Sequence, residues 1–204
     1  MESIKIVGLG GSLAPHSTSL AALSVALDGA REYGASVRLF DLRELKLPFY
    51  VPGDPDVPAV ARDLCEAVHA ANGMIWSSPL YHGTISGAFK NALDWLQLLS
   101  DRTPPYLTDK VIGLISTAGG THGLQAVNTM EFAVRALRGW AVPLVLPIPQ
   151  AWSVIKDGRV LDVRVGQQLR SLGHELARAA QLFAAESLST PEAGRVEDQV
   201  EPLR

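Results

Sequence analysis

The chain has 204 residues, 47% of them hydrophobic, which suits one domain with a substantial core. A net charge of −3 without a basic stripe argues against nucleic acid and anionic membrane as partners. The single cysteine, Cys65, excludes an internal disulfide and a cysteine-rich metal site, and no apolar run approaches the roughly 18 residues of a membrane span, so a soluble cytoplasmic protein is expected.

In chain order, residues 3–9 alternate and run into glycines, which predicts a first strand; the run is too short for a signal sequence and lacks a basic start. Leu20, Leu23, Leu27 and Ala30 give residues 17–33 helical spacing, and Gly34 stops the helix. Residues 36–42 read as a second strand. A proline-rich loop over 48–58 leads into a helix over 57–71. Residues 73–77 form a third strand and 85–99 a third helix. The run KVIGLIST, residues 110–117, has the composition of a strand buried on both faces. A helix over 121–138 and a strand over 142–148 follow. Residues 153–162 read as a hairpin turning on Asp157-Gly158, and 163–185 as the last helix. From residue 187 the chain turns polar, so the domain spans 1–186 and 187–204 is a frayed tail.

Five strands alternating with helices imply an α/β fold, a parallel sheet covered on both faces. Ligands of such sheets bind at the carboxyl ends of the strands, near a topological switch point. Loops over 10–18, 78–87 and 118–123 leave those ends, and all are rich in Gly, Ser, Thr or Pro.

The first loop, Gly8-Leu9-Gly10-Gly11-Ser12-Leu13, fails the dinucleotide fingerprint because Leu13 stands where the third glycine should fall. No Gly-Lys-Ser/Thr follows, so it is not a Walker A loop either. It is long for a strand–helix connection, typically about 2–6 residues. Ser12, Ser17, Thr18 and Ser19 gather hydroxyls where a helix begins, and with the free amides of its first turn they suit a phosphate monoester. The plainer alternative is that Ser17 or Thr18 caps the helix.

The second loop holds Pro79, Leu80, Tyr81, His82, Gly83 and Gly87, stiffened by proline and opened by glycine. It carries no nucleophile–base pair and no metal cluster. A rigid loop of exposed amides beside an aromatic suits a flat ligand that does its own chemistry, such as a flavin. Otherwise Ser86 is a helix cap, Tyr81 packs inward and His82 is a surface residue. The third loop, Thr117-Ala118-Gly119-Gly120-Thr121-His122-Gly123, lets a flat ring approach the backbone closely, or is a tight turn before a helix. The histidines at 16, 69 and 174 have no metal-ligand spacing, Cys65 reads as inert core, and Gly-x-Ser-x-Gly is absent.

Together these residues resemble the NADPH-dependent FMN reductase family of flavodoxin-like proteins. The resemblance covers residues 4 to about 148. It rests on Gly11-Ser12…Ser17-Thr18, on Ser78-Pro79-Leu80-Tyr81-His82-Gly83…Ser86-Gly87…Lys90-Asn91…Asp94-Trp95, and on Thr117-Ala118-Gly119-Gly120, in that order. It implies a flavodoxin-like five-stranded sheet. It implies FMN with its phosphate on Ser12, Ser17, Thr18 and Ser19, and its ring lined by Pro79, Leu80, Tyr81, His82 and Gly83. Thr117, Ala118, Gly119 and Gly120 border the ring from the other side. NADPH supplies hydride, and no catalytic side chain or metal is required. Ala14 stands where the family often has an arginine. Bound and visiting FMN both stay open on that account.

The third predicted helix adds an expectation about assembly. Ile85, Ala88, Phe89, Ala92, Leu93, Leu96 and Leu99 form an apolar stripe, widened by Trp95 and Leu98 beyond one core contact. This predicts a homodimer through that helix, and the resemblance likewise implies a homodimer or a dimer of dimers. The function that follows is NAD(P)H-dependent flavin reduction. The alternatives are reduction of quinones, azo dyes or metal oxyanions on bound FMN, an electron carrier without nicotinamide turnover, and a module that has kept only the fold. Carriers of this fold are usually more acidic than −3.

Overall fold

The structure is a computed structural model and describes residues 3–189. The chain runs β1 (Lys5–Gly10), α1 (Thr18–Glu32), β2 (Ser36–Asp41), the single turn α2 (Leu42–Leu45), α3 (Ala59–Ala70), β3 (Gly73–Tyr81) and β4 (Thr84–Ile85). It continues through α4 (Gly87–Trp95), β5 (Val111–Thr117), α5 (Leu124–Ala136), β6 (Trp140–Ile148), α6 (Ala151–Val154), β7 (Ile155–Lys156), β8 (Arg159–Val160) and α7 (Val163–Ser189). Five strands lie parallel in the order β2-β1-β3-β5-β6. The predicted α/β, flavodoxin-like sheet is therefore present, and the order reverses between β1 and β3. Among the described residues no helix is long and apolar enough to cross a membrane.

Alternation along β5 explains why its apolar run is continuous. Ile112 and Leu114 enter one core with α3, α4 and α5; Val111 and Ile115 enter the other with α1 and α7. Each such side chain contributes about 1.5–3 kcal/mol by leaving water, so a polar residue at any of these four positions would be costly. The edge strand β6 contains Pro143, which has no N–H to pair. The ladder with β5 shifts register there, between Ile112 and Leu114.

Three expectations are corrected. The strand expected over 73–77 continues to Tyr81 and turns back through a hairpin, with Leu80 opposite Ile85 and Tyr81 opposite Thr84. His82 and Gly83 both take left-handed conformations, φ 49° and 82°, as a type I′ turn requires. What reads as a glycine-rich loop is therefore mostly strand. The hairpin expected over 153–162 is shorter: Ser153 and Val154 belong to α6, and only β7 and β8 pair around Asp157-Gly158. The last helix runs four residues past Ala185, to Ser189. The rest of the predicted tail, residues 190–204, lies outside the described residues.

The apolar stripe on α4 is consumed within the chain. Ile85, Phe89, Ala92, Leu93, Trp95 and Leu96 are all buried, as is Leu99 in the 3-10 turn that follows. The surplus, Trp95, is covered by the 48–50 segment. Trp95 Nε1 donates to the carbonyl oxygen of Pro48 (3.0 Å), Asn91 Nδ2 donates to the same oxygen (2.9 Å), and Tyr50 packs edge-on against Trp95 at 5.3 Å. Asn91 Oδ1 accepts from the Tyr50 amide at 2.9 Å. A neighbouring loop thus covers the stripe at Trp95. Cys65 packs beneath it: its thiol donates to the Trp95 carbonyl at 3.3 Å, and burial pushes its pKa up to about 12, so it is inert core as predicted.

Candidate functional site

The three loops converge. A shallow cleft of about 170 Å³ opens at the carboxyl ends of β1, β3, β5 and β6. Ser12, Ser17, Thr18, Pro79, Leu80, Tyr81, Thr117, Ala118 and Gly119 line it, all of them site residues expected from sequence. Direct contact ties the first loop to the third: Thr18 Oγ1 donates to Thr117 Oγ1 at 3.2 Å across 99 residues of sequence.

The switch point is closed tightly beneath the cleft. A Cβ at Gly10 would fall 2.2 Å from the Ser77 carbonyl oxygen, so only glycine lets β1 lie this close to β3. The same oxygen accepts from the Gly11 amide at 3.1 Å, and Ser77 Oγ donates to the Ser19 carbonyl at 2.8 Å. β3 thus fixes the first turn of α1, which opens on the cleft.

At that turn Ser17 is the N-cap, and its hydroxyl accepts from the Leu20 amide at 3.2 Å. The capping alternative for Ser17 is realised, and Ser17 also lines the cleft. The amides of Thr18 and Ser19, in the first turn, have no intrahelical acceptor. The turn carries no acidic side chain, so nothing there opposes an anion. Ser12 Oγ accepts from the Ala14 amide at 3.3 Å and stands at the cleft wall.

Four expected residues do not line the cleft. Ser19 is 1% exposed, and its hydroxyl pairs with Ser17 Oγ at 3.3 Å. It shares a helix face with Leu23 and Leu27, and that phase is readable in the sequence. His82 and Gly83 form the hairpin tip, and Gly120 turns its carbonyl to the Gln150 amide at 3.0 Å. Sequence reasoning missed Ala14, His16, Ala151 and Trp152 as lining residues. The last two come from α6, directly after β6, a fourth loop at the same sheet end. The available signal was the break at Pro149-Gln150 after the fifth strand.

His16 and Tyr81 are the only titratable side chains in the lining, and Cys, Asp and Glu are absent from it. Among the described residues no cluster of His, Cys, Asp and Glu could hold a metal. The lining thus holds no cysteine and no carboxylate. It offers hydroxyls, a helix N-terminus, one half-exposed tyrosine and the amide of Gly119, which meets no acceptor among the described residues. Those donors fit a phosphate at one end and a polar ring edge at the other, which is the donor set FMN requires.

Comparisons with known proteins agree with this geometry. The family model described as NADPH-dependent FMN reductase matches residues 4–153. The NADPH-dependent FMN reductase ArsH of Acidithiobacillus ferrooxidans is 34% identical over 128 residues, 63% of this chain and 52% of that protein. The match to ArsH of Shigella flexneri covers 57% of it, so the chain spans little more than half the length of these relatives. The FMN-dependent NADPH-azoreductase of Staphylococcus haemolyticus is 29% identical, over 78% of this chain and 82% of that one. Among solved structures, the NAD(P)H:(acceptor) oxidoreductase FerB from Paracoccus denitrificans superposes with a TM-score of 0.70 at 19% identity, over 88% of this chain and 98% of FerB. The apo NADH:FMN oxidoreductase EMOB gives 0.65 at 21%, over 98% of both chains. At these identities the two structures speak for the fold alone.

Proposed function

Because the chain belongs to the NADPH-dependent FMN reductase family, we propose that it holds FMN in this cleft and reduces it with NADPH. The observation that carries the reading is the meeting of the first and third loops at Thr18 and Thr117 beside the N-terminus of α1. Ser12, Ser17, Thr18 and the first-turn amides would take the phosphate. Pro79, Leu80 and Tyr81 would wall the ring, with the hairpin tip at His82 and Gly83 setting where Tyr81 stands. Thr117, Ala118 and Gly119 would border it from the other side.

FMN held there would supply the redox chemistry between the nicotinamide and a second acceptor. The chain's own part is placement. The Gly119 amide would be a donor for an electron-rich ring edge, where preorganised dipoles lower the cost of added negative charge. The small, mostly neutral lining fixes distance and orientation, which hydride transfer needs more than a proton donor. Ala14, in the lining, supplies no cation, so the phosphate is held by neutral donors alone.

The same reading takes the chain as a cytoplasmic homodimer whose interface lies elsewhere than α4. Phe49 and Val51, 84% and 53% exposed, supply apolar surface for it. A second reading, azo reduction on bound FMN, is supported by the match over 82% of the staphylococcal azoreductase. Anaerobic mixing of protein, FMN and NADPH is expected to bleach the flavin far faster than a protein-free control. An unchanged rate with an unperturbed flavin spectrum overturns the proposal; faster bleaching of an added azo dye selects the second reading.

A further inference from the structure

The wall of the cleft contributed by α6 is an indole. We propose that Trp152 is a positioning residue for the flavin ring system, an aromatic surface held ready by the backbone of residues 118–120; the inference rests on the flavin reading above. Three hydrogen bonds join α6 to that segment. The Gln150 amide donates to the carbonyl oxygen of Gly120 (3.0 Å), the Ala151 amide to that of Ala118 (2.9 Å), and Trp152 Nε1 to that of Gly119 (3.1 Å). Gln150 takes a left-handed conformation, φ 45°, to begin the turn. That backbone is costly for a residue other than glycine and persists where its surroundings demand it.

The indole is fixed but not buried. Its one polar atom is satisfied, and its side chain is 64% exposed on the cleft. A core role would bury it, as Trp76 is buried at 0%. Holding the loop needs only the N–H and leaves the large ring face unexplained. A large apolar face kept in one orientation and left in water is what a planar ligand would cover.

The far wall supports the assignment. Tyr81, at the end of β3, is 50% exposed and lines the same cleft. In the sheet β5 lies between β3 and β6, so Tyr81 and Trp152 flank the segment after β5 from opposite sides. Between them the lining is Pro79, Leu80, Ala118 and Gly119. An aromatic on each side and small apolar residues between make a slot for a flat, fused ring. The phosphate end of the cleft is separate, at Ser12, Ser17 and Thr18.

The test compares the full chain with Trp152→Phe and Trp152→Ala by titration with FMN and with riboflavin, which lacks the phosphate, and by emission of the bound flavin. Trp152→Ala should weaken both flavins about tenfold, the scale of one aromatic contact. Trp152→Phe, which keeps a ring but loses the bond to Gly119, should retain most of the affinity. Emission of bound FMN should rise in both variants, because an adjacent indole quenches excited flavin by electron transfer. If Trp152→Phe binds as weakly as Trp152→Ala, the hydrogen bond is the whole role and the proposal falls. Unchanged affinity and emission in both variants also overturn it. Absence of flavin binding by the unaltered chain overturns the flavin reading itself, a distinct result.

Discussion

At the carboxyl ends of the strands, the cleft lining holds no carboxylate, lysine or arginine. At the amino end of β5 charged groups gather and are already engaged. Lys110, immediately before β5, is 7% exposed, and its ammonium donates to the carbonyl oxygens of His69 (2.8 Å) and Ala71 (2.7 Å), closing the end of α3. Arg102 pairs with Glu66 at 2.8 Å beside it, and burial, aided by Arg102 and Lys110, holds the His69 imidazole below its usual range. The cation of the amino end satisfies the fold's own carbonyls. At the carboxyl end, amides and hydroxyls keep donors free for a ligand. The difference teaches where binding capacity lies: in unsatisfied donors, not in charge.

The largest effect should come where the cleft and the fold share one atom. Gly10→Ala places a Cβ against the Ser77 carbonyl, so β1 and β3 must separate at the switch point. A loss above about 4 kcal/mol in urea unfolding is expected, with FMN binding lost as well. A stable, flavin-binding Gly10→Ala protein would break the claim that this junction builds the site.

Lys110 should behave in the opposite way, changing stability without touching the ligand. Burial holds its pKa at about 8, below the ordinary 10.5. The unfolded chain therefore binds that proton more tightly than the folded one. Below about pH 8 the buried charge costs its full penalty, and the penalty lifts as pH rises to 10.5. Stability of the unaltered chain relative to Lys110→Met should climb across that window by about 3 kcal/mol. FMN affinity should be the same in both. A flat difference in stability, or an affinity that follows it, would undo the separation of the two ends.

Much of this contrast was legible in the residues, and the exceptions have physical causes. The spacing of Leu20, Leu23, Leu27 and Ala30, and the run Val111–Thr117, gave the layers because periodicity reports which face is buried. The hairpin after β3 was hidden because His82, instead of Asn or Asp, precedes Gly83 in its turn. The fate of the α4 stripe was hidden because its cover, Pro48, lies 47 residues from Trp95, and no local pattern records that contact. Convergence of the cleft followed from the topology. Trp152 did not, because α6 begins at a strained Gln150 that sequence reads as ordinary loop.

The smallest effect isolates ligand approach from folding. Gly119 is not at positive φ, and a Cβ there would meet nothing nearer than Trp152 Nε1 at 3.9 Å. The protein itself has no need of glycine at this position. Gly119→Ala should leave stability unchanged or raise it by about 0.4–1 kcal/mol, because alanine restricts the unfolded chain. The new methyl group, however, is added to a residue of the cleft lining, 3.9 Å from Trp152 Nε1, beside the proposed place of a flat ring. FMN affinity should fall about tenfold, roughly 1.4 kcal/mol, while the thermal midpoint holds or rises. Opposite signs in one variant mark a glycine kept for a ligand. If stability falls instead, Gly119 belongs with Gly10 and is kept for the fold rather than for a bound ring.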